Sequence, residues 1–307
     1  MRALVNTPNG NEPVELREVE EPAAGRDEAI MAVRAFALNR GELSLLSSRP
    51  EGWRPGQDIA GVVVRPAADG SGPREGARVV GLVDGAGWSE RVAVPTARLA
   101  ALPDAVDVAL AAALPVAGLT ALRALRVSGT LLGRRVLVTG ASGGVGRFAV
   151  ELAHAAGAHV TGVVGNSARG AGLREIGADR VVTSMENLGE PFDLVLESAG
   201  GDSLAAAVRN VAPDGTVVVF GASSGEETTL SFADFVGRPR ARIYAFFVYD
   251  SADRRTFGED LGLLADLVAE GKLHPHIGAR ESWRAMGPAI AALRDRRVDG
   301  KAVFTVD

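Results

Sequence analysis

The sequence predicts an α/β protein whose later part carries a doubly wound parallel sheet, preceded by a β-rich segment. Three observations point there. From residue 135 onward, short β-branched runs alternate with helical segments of 9–13 residues, the rhythm of βαβ units. One run, VLVTG (136–140), leads directly into a glycine cluster that opens a helix. The first hundred residues lack this rhythm, and there short apolar stretches are separated by Gly, Pro and Asp turns.

In chain order, strands are expected at 29–36, 59–64, 78–83 and 89–94. An alanine-rich helical stretch covers 107–125 and breaks near Pro115, where a domain boundary is expected. Strand 136–140, helix 144–156 and strand 159–165 follow, then helix 168–176 and strand 180–183. Strand 192–200, helix 203–211 and strands 216–221 and 242–248 complete the alternation. The tail adds helices near 258–270 and 283–296 and a last strand at 302–306.

A chain of 307 residues has room for two domains, and 47% apolar with 23% charged residues suffices for ordinary cores. Cysteine is absent. That excludes disulfides, thiolate nucleophiles, iron–sulfur clusters and every cysteine-containing zinc site. The net charge of −5 argues against a nucleic-acid binder. Of 33 basic residues only Lys272 and Lys301 are lysine, a bias that reads as base composition. The longest run free of both charged residues and histidine, 108–122, has 15 residues and contains Pro115 and Gly118. A membrane-spanning helix needs about 20. The first residues lack the apolar stretch of a signal peptide, so a cytoplasmic protein is expected.

The string VLVTGASGGVG (136–146) holds the strongest local signal. Its glycines permit a tight turn, close approach of backbone to a pyrophosphate, and close helix–strand packing, as in a Rossmann unit. The helix start then offers unpaired N–H groups and a positive dipole end to the phosphates. Ser142, Gly143, Gly144 and Val145 are the expected contacts. No Gly-Lys-Ser/Thr follows, so a phosphate loop of the Walker type is excluded. The end of the second strand selects the cofactor. NAD sites place Asp or Glu there for the ribose 2′-hydroxyl. Here Gly165, Asn166, Ser167 and Arg169 occupy that stretch, with no carboxylate between Glu151 and Glu175. A 2′-phosphate suits these residues and would be repelled by Asp, so NADP is expected.

A short-chain dehydrogenase would need a Tyr-x-x-x-Lys pair, but four residues beyond Tyr244 and Tyr249 stand Val248 and Asp253. Across its whole length the chain resembles the medium-chain dehydrogenase/reductase superfamily, in its zinc-free quinone oxidoreductase branch. The segments that carry the likeness are ALNRGE (37–42), PGQDIAG (55–61), GARVVG (76–81), LPVAGLTA (114–121), the glycine turn, IGAD (176–179), FDLVLESAGG (192–201), 215–221 and GKAV (300–303).

The resemblance implies a GroES-like β-barrel domain from 1–115 with 271–307, and a Rossmann NADP-binding domain at 116–270, with the active site between them. Zinc-dependent relatives carry Cys and His where this chain has Asn39 and Gln57-Asp58, and all four histidines (His154, His159, His274, His276) lie elsewhere, so no metal is expected. The resemblance places Asn39 and Thr120 near the nicotinamide, Ser198 and Ala199 near the adenosine half, and Phe220, Gly221, Phe246, Phe247 and Val248 along the cofactor crevice. Asn39 is also the one catalytic candidate, as an amide donor. A tyrosine common in the family's loop after residue 183 is replaced by Ser184, and no tyrosine precedes Tyr244 to act as proton donor. Arg40 and Asp58 remain candidates for that role.

Without zinc, alcohol oxidation lacks its Lewis acid. Hydride addition to a conjugated carbonyl, with donors stabilising charge on the oxygen, is the chemistry expected. The leading expectation is an NADPH-dependent reductase of quinones or other α,β-unsaturated carbonyls. Enoyl-thioester and polyketide enoyl reductases of the same superfamily, or a non-catalytic NADPH sensor, remain alternatives. The family commonly forms homodimers through edge strands of the Rossmann sheet, for which 242–248 is the candidate.

Overall fold

The computed structural model describes residues 1–250 and 253–307. The chain divides into two compact units, Met1–Leu119 with Arg254–Asp307, and Thr120–Asp253.

The first unit begins with β1 (Arg2–Asn6) and β2 (Val14–Glu18), an antiparallel pair. It continues through β3 (Glu28–Leu38), α1 (Arg40–Ser48), β4 (Asp58–Arg65), β5 (Arg78–Leu82), β6 (Arg91–Pro95), β7 (Leu99–Ala101) and α2 (Val108–Ala111). The chain passes to the second unit within α3 (Pro115–Arg126), which opens on proline, a residue suited to a first helical position. There follow β8 (Arg135–Thr139), α4 (Gly144–Ala155), β9 (His159–Val163), β10 (Arg180–Val182), β11 (Phe192–Glu197), α5 (Gly201–Asn210), β12 (Val211–Val219) and β13 (Arg242–Ala245). The chain then rejoins the first unit as α6 (Phe257–Ala269), β14 (Ile277–Ser282), α7 (Met286–Arg294) and β15 (Lys301–Thr305).

In the second unit six parallel strands run in the order β10-β9-β8-β11-β12-β13. Val136, Leu137 and Val138 of β8 are fully buried, as a central strand covered on both faces requires. The order reverses between β8 and β11, and such a switch point is where open α/β sheets leave a crevice at the carboxyl ends of their strands.

In the first unit a seven-stranded sheet is ordered β14-β15-β3-β4-β5-β7, with β6 also paired to β3. All its pairs are antiparallel except β14 with β15. Its core centres on Phe36, whose ring stacks on Trp88 at 5.7 Å and on Phe304 at 5.6 Å. Gly61 of β4 is sterically required: a Cβ there would run into the Ala32 carbonyl of β3.

Three expectations change. Residues 168–176 form a 3-10 turn over Ser167–Gly170 and further turns, not a helix. Gly172 at φ +74° and Gly177 at φ +108° break the helical path. The strand expected over 242–248 stops at Ala245. Finally, the second compact unit spans Thr120–Asp253 rather than 116–270, and α6 groups with the first unit. The Arg98 guanidinium lies 5.7 Å over the Phe257 ring, and Gly258 lies so near the backbone that a Cβ would sit 3.0 Å from the Ala97 carbonyl oxygen.

Candidate functional site

The second unit places two turns side by side at the switch point. The first, Gly140–Gly144, leaves β8. Gly140 takes φ +58°, and a Cβ on it would lie 2.8 Å from Ser198 Oγ of the second turn, which leaves β11. Gly146 faces Ala141, where a Cβ would come 2.7 Å from the Ala141 Cα, so only glycine lets α4 pack this close. The helix cap is Gly143, with no side-chain oxygen bonding the first-turn N–H groups. A helix of 12 residues thus presents its N-terminus without a competing acceptor, which fits a phosphate.

Glu197 builds the second turn. Its carboxylate, fully buried, accepts from Ala199 N–H (3.0 Å), Gly200 N–H (3.0 Å), the Ser203 hydroxyl (2.8 Å) and the Thr139 hydroxyl (3.2 Å). Thr139 Oγ1 in turn accepts from Ser198 N–H at 2.9 Å. One carboxylate therefore ties the two turns together. At the end of β9, Gly165, Asn166 and Ser167 are exposed and Arg169 is half-buried. Asn166 Oδ1 accepts from Arg169 N–H at 3.1 Å and caps the 3-10 turn, an orienting role in addition to the donor role expected of it.

The first unit holds a buried polar cluster. Asn39 caps α1, and its backbone N–H donates to Glu42 Oε2 at 2.8 Å. Its side-chain Nδ2 donates to Asp58 Oδ2 at 3.0 Å, while its Oδ1 accepts from Lys301 Nζ at 2.6 Å. Lys301 also donates to Asp58 Oδ2 at 2.9 Å and to the Leu38 carbonyl at 3.4 Å. Asp58 Oδ1 accepts from Val116 N–H at 2.8 Å. Glu42 Oε1 accepts from Gln57 N–H at 3.0 Å. Asp58 and Glu42 are 0% exposed, Lys301 4% and Asn39 8%. Burial, with the Asp58 charge nearby, pushes Glu42 up to about 8.

Over 87% of its length this chain is 30% identical to a chloroplast envelope quinone oxidoreductase homolog of Arabidopsis thaliana, covering 88% of that protein. The chain belongs to the medium-chain dehydrogenase/reductase superfamily, in its quinone oxidoreductase-like branch. It is an oxidoreductase of that superfamily. Residues 144–266 match the zinc-binding dehydrogenase family model. Among the described residues no group of three or more His, Cys, Asp or Glu side chains is arranged to hold a metal ion. Erythronolide synthase EryA2 of Saccharopolyspora erythraea is 34% identical over 94% of this chain, which spans 8% of that synthase. The Escherichia coli quinone oxidoreductase, solved in complex with NADPH, has the same fold, with a TM-score of 0.88 at 22% identity over 99% of this chain and 100% of that one.

Within this oxidoreductase the residues named from the sequence fall into separate groups. Ser142, Gly143, Gly144, Val145, Ser198 and Ala199 gather at the switch point of the second unit. Phe220 N–H donates to the Glu197 carbonyl at 3.0 Å and Gly221 follows it, both partly exposed. Phe246 and Val248 are buried, but Phe247 is 61% exposed, its ring 5.3 Å from that of Tyr249. Thr120 is buried in α3. Arg40 donates to the Leu293 carbonyl at 3.0 Å. Sequence reading missed Glu197, Glu42 and Lys301 as site residues. Lys301 left a trace, as one of two lysines among 33 basic residues. A single ammonium with three converging acceptors is a task the planar arginine fork cannot copy. Among the described residues no helix is long and apolar enough to cross a membrane.

Proposed function

We propose that this oxidoreductase is an NADPH-dependent reductase of quinones or other α,β-unsaturated carbonyl compounds that works without a metal. The observation that carries the reading is the pair of turns at the β8/β11 switch point, joined through Thr139 and Glu197 and opening on an uncapped helix N-terminus. Ser142, Gly143, Gly144 and Val145 would hold the pyrophosphate. Asn166, Ser167 and Arg169 would hold the 2′-phosphate, since the stretch from Glu151 to Glu175 offers no carboxylate to repel it. Ser198 and Ala199 would line the adenosine half, and Thr120, Phe220, Gly221, Phe246, Phe247 and Val248 the remainder.

When bound, NADPH supplies a hydride. Asn39 supplies an amide N–H that stabilises negative charge growing on the carbonyl oxygen of a conjugated substrate. The cluster that holds Asn39 is already hydrogen-bonded in place, so little reorganisation is needed as that charge develops.

The test is NADPH oxidation against a panel of quinones and a panel of enones, with NADH in parallel. Turnover on either panel with NADPH preferred is expected. Tight NADPH binding with no turnover would leave a binding protein. Arg169→Ala should lower the preference for NADPH over NADH, and an unchanged preference removes Arg169 from the 2′-phosphate site. The match to erythronolide synthase favours a second reading, the same reduction on an enoyl thioester. An enoyl-pantetheine substrate turned over faster than every free enone would establish it. The run Arg238–Arg242 offers that reading little, since Arg240 pairs with Asp214 at 2.7 Å and Arg242 donates to the Thr216 hydroxyl at 3.3 Å.

A homodimer belongs to the same proposal. Strand β13 forms one edge of the six-stranded sheet, and all four of its residues are exposed. Ile243 is 43% and Tyr244 44% exposed, which suits pairing with a second copy. Light scattering on the purified protein decides it.

A further inference from the structure

We propose that Lys301 and Asp58 act as positioning residues that fix which way the Asn39 side-chain amide faces, and therefore which donor Asn39 can offer. The inference rests on the reading of Asn39 as the carbonyl-facing donor.

An Asn amide has two ends of similar size and opposite chemistry. One accepts hydrogen bonds and the other donates them. Rotation by half a turn exchanges them at little steric cost, so an active-site amide needs partners that tell the ends apart. Here the partners do so. Lys301 can only donate, and it lies 2.6 Å from Oδ1. An ionised Asp58 can only accept, and it lies 3.0 Å from Nδ2. A reversed amide would set a donor against the ammonium and an acceptor against the carboxylate. Both contacts would be repulsive in a place where water has little access.

The anchors are themselves held. Lys301 and Asp58 join at 2.9 Å, closing a ring of three hydrogen bonds with Asn39. The second Asp58 oxygen accepts from Val116 N–H at 2.8 Å, and the ammonium reaches the Leu38 carbonyl at 3.4 Å. Glu42 holds the Asn39 backbone N–H at 2.8 Å. Asn39 precedes α1, Asp58 opens β4 and Lys301 opens β15, so separate elements converge on one amide. With one Nδ2 hydrogen on Asp58, the other is the hydrogen the amide has left to give. Asn39 is also the most exposed of the three.

The chemistry of the ring also explains the choice of lysine. Its three hydrogens leave one nitrogen and meet Leu38 O, Asn39 Oδ1 and Asp58 Oδ2. A guanidinium spreads its hydrogens over three nitrogens in a plane and cannot serve three acceptors around one point.

The experiment uses the full chain with asparagine selectively labelled with ¹⁵N. In the wild type, the two Nδ2 hydrogens of Asn39 should exchange at clearly different rates, the one on Asp58 slowly. Equal and rapid exchange of both overturns the proposal without any variant. The double variant Lys301→Met with Asp58→Leu removes both anchors and leaves no unpaired buried charge. It should equalise the two exchange rates and lower kcat about tenfold on the best quinone or enone, with the NADPH Kd within twofold of wild type. Lys301→Arg should not restore kcat. A folded double variant with wild-type kcat, or a fully active Lys301→Arg, overturns the proposal. If the wild type reduces no quinone or enone, the reductase reading fails, and the exchange rates alone decide the positioning role.

Discussion

Glu197→Gln tests the link between the turns that leave β8 and β11. The carboxylate accepts from four donors, three on Oε1 and Gly200 N–H on Oε2. A glutamine must set its NH₂ against one of those sets. The cheaper choice faces Gly200, losing one charge-assisted bond worth about 1.5–3 kcal/mol and leaving two buried donors opposed at about 1–3 kcal/mol. Relief from burying a charge offsets part of this, so a local loss of about 2–4 kcal/mol is expected. Hydrogen exchange at Ala199 and Gly200 is the direct assay, and those amides should exchange about 30- to 1,000-fold faster than in the wild type. NADPH affinity should fall with it, because Ser198 and Ala199 lose their support. Exchange within threefold of wild type, with unchanged NADPH affinity, would refute the idea that Glu197 holds the turn.

Other perturbations act on the first unit, where Trp53, Trp88 and Trp283 make fluorescence a local reporter of unfolding. Gly61→Ala forces a methyl into the Ala32 backbone, with Arg34 N 3.0 Å away, and should cost about 1–3 kcal/mol in urea unfolding; an unshifted midpoint counts against the close β3–β4 approach. Phe304→Ala removes one partner of the Phe36 stack and should cost about 3–5 kcal/mol by the same measurement. Glu42 gives a pH dependence. Its carboxyl rises from the ordinary 4.5 to about 8 on folding, so across that window the folded protein keeps a proton the unfolded chain has released. Its contribution to stability is full below the lower value and is lost as pH rises through the upper one. Glu42→Gln should flatten that slope, and a parallel slope in the variant would remove Glu42 as its source.

The second unit was legible because its signals are local. β8 is a buried β-branched run, the glycines follow it without a gap, and β9 begins at the distance a crossover helix allows. The failure at 168–176 is equally local: the stretch fitted a helix, and the positive-φ glycines Gly172 and Gly177 outweighed that. Other misses have a different cause. The stretch 258–270 read correctly as a helix, since it runs Phe257–Ala269, but periodicity cannot say which unit a helix packs on. Lys301 and Asp58 are 243 residues apart, and no window of sequence contains both. Glu197 sits inside a stretch recognised as strand, and its role depends on how the following backbone folds back toward it.

The pairing of β15 with β3 sets a timetable for synthesis. Ala302 lies opposite Leu38 and Thr305 opposite Ala35, so this stretch of one β3 edge stays unpaired until β15 is made, although β4 and β6 pair with β3 much earlier. Asn39 and Lys301 are separated by 262 residues. At about 5–20 residues per second, that interval lasts roughly 13–50 s. The six-stranded sheet, whose strands all fall between Arg135 and Ala245, has its full complement earlier. The nascent chain therefore carries an incomplete sheet while the six-stranded sheet is already fully synthesised, and the unpaired Ala35–Leu38 stretch of β3 is where a chaperone would be needed most.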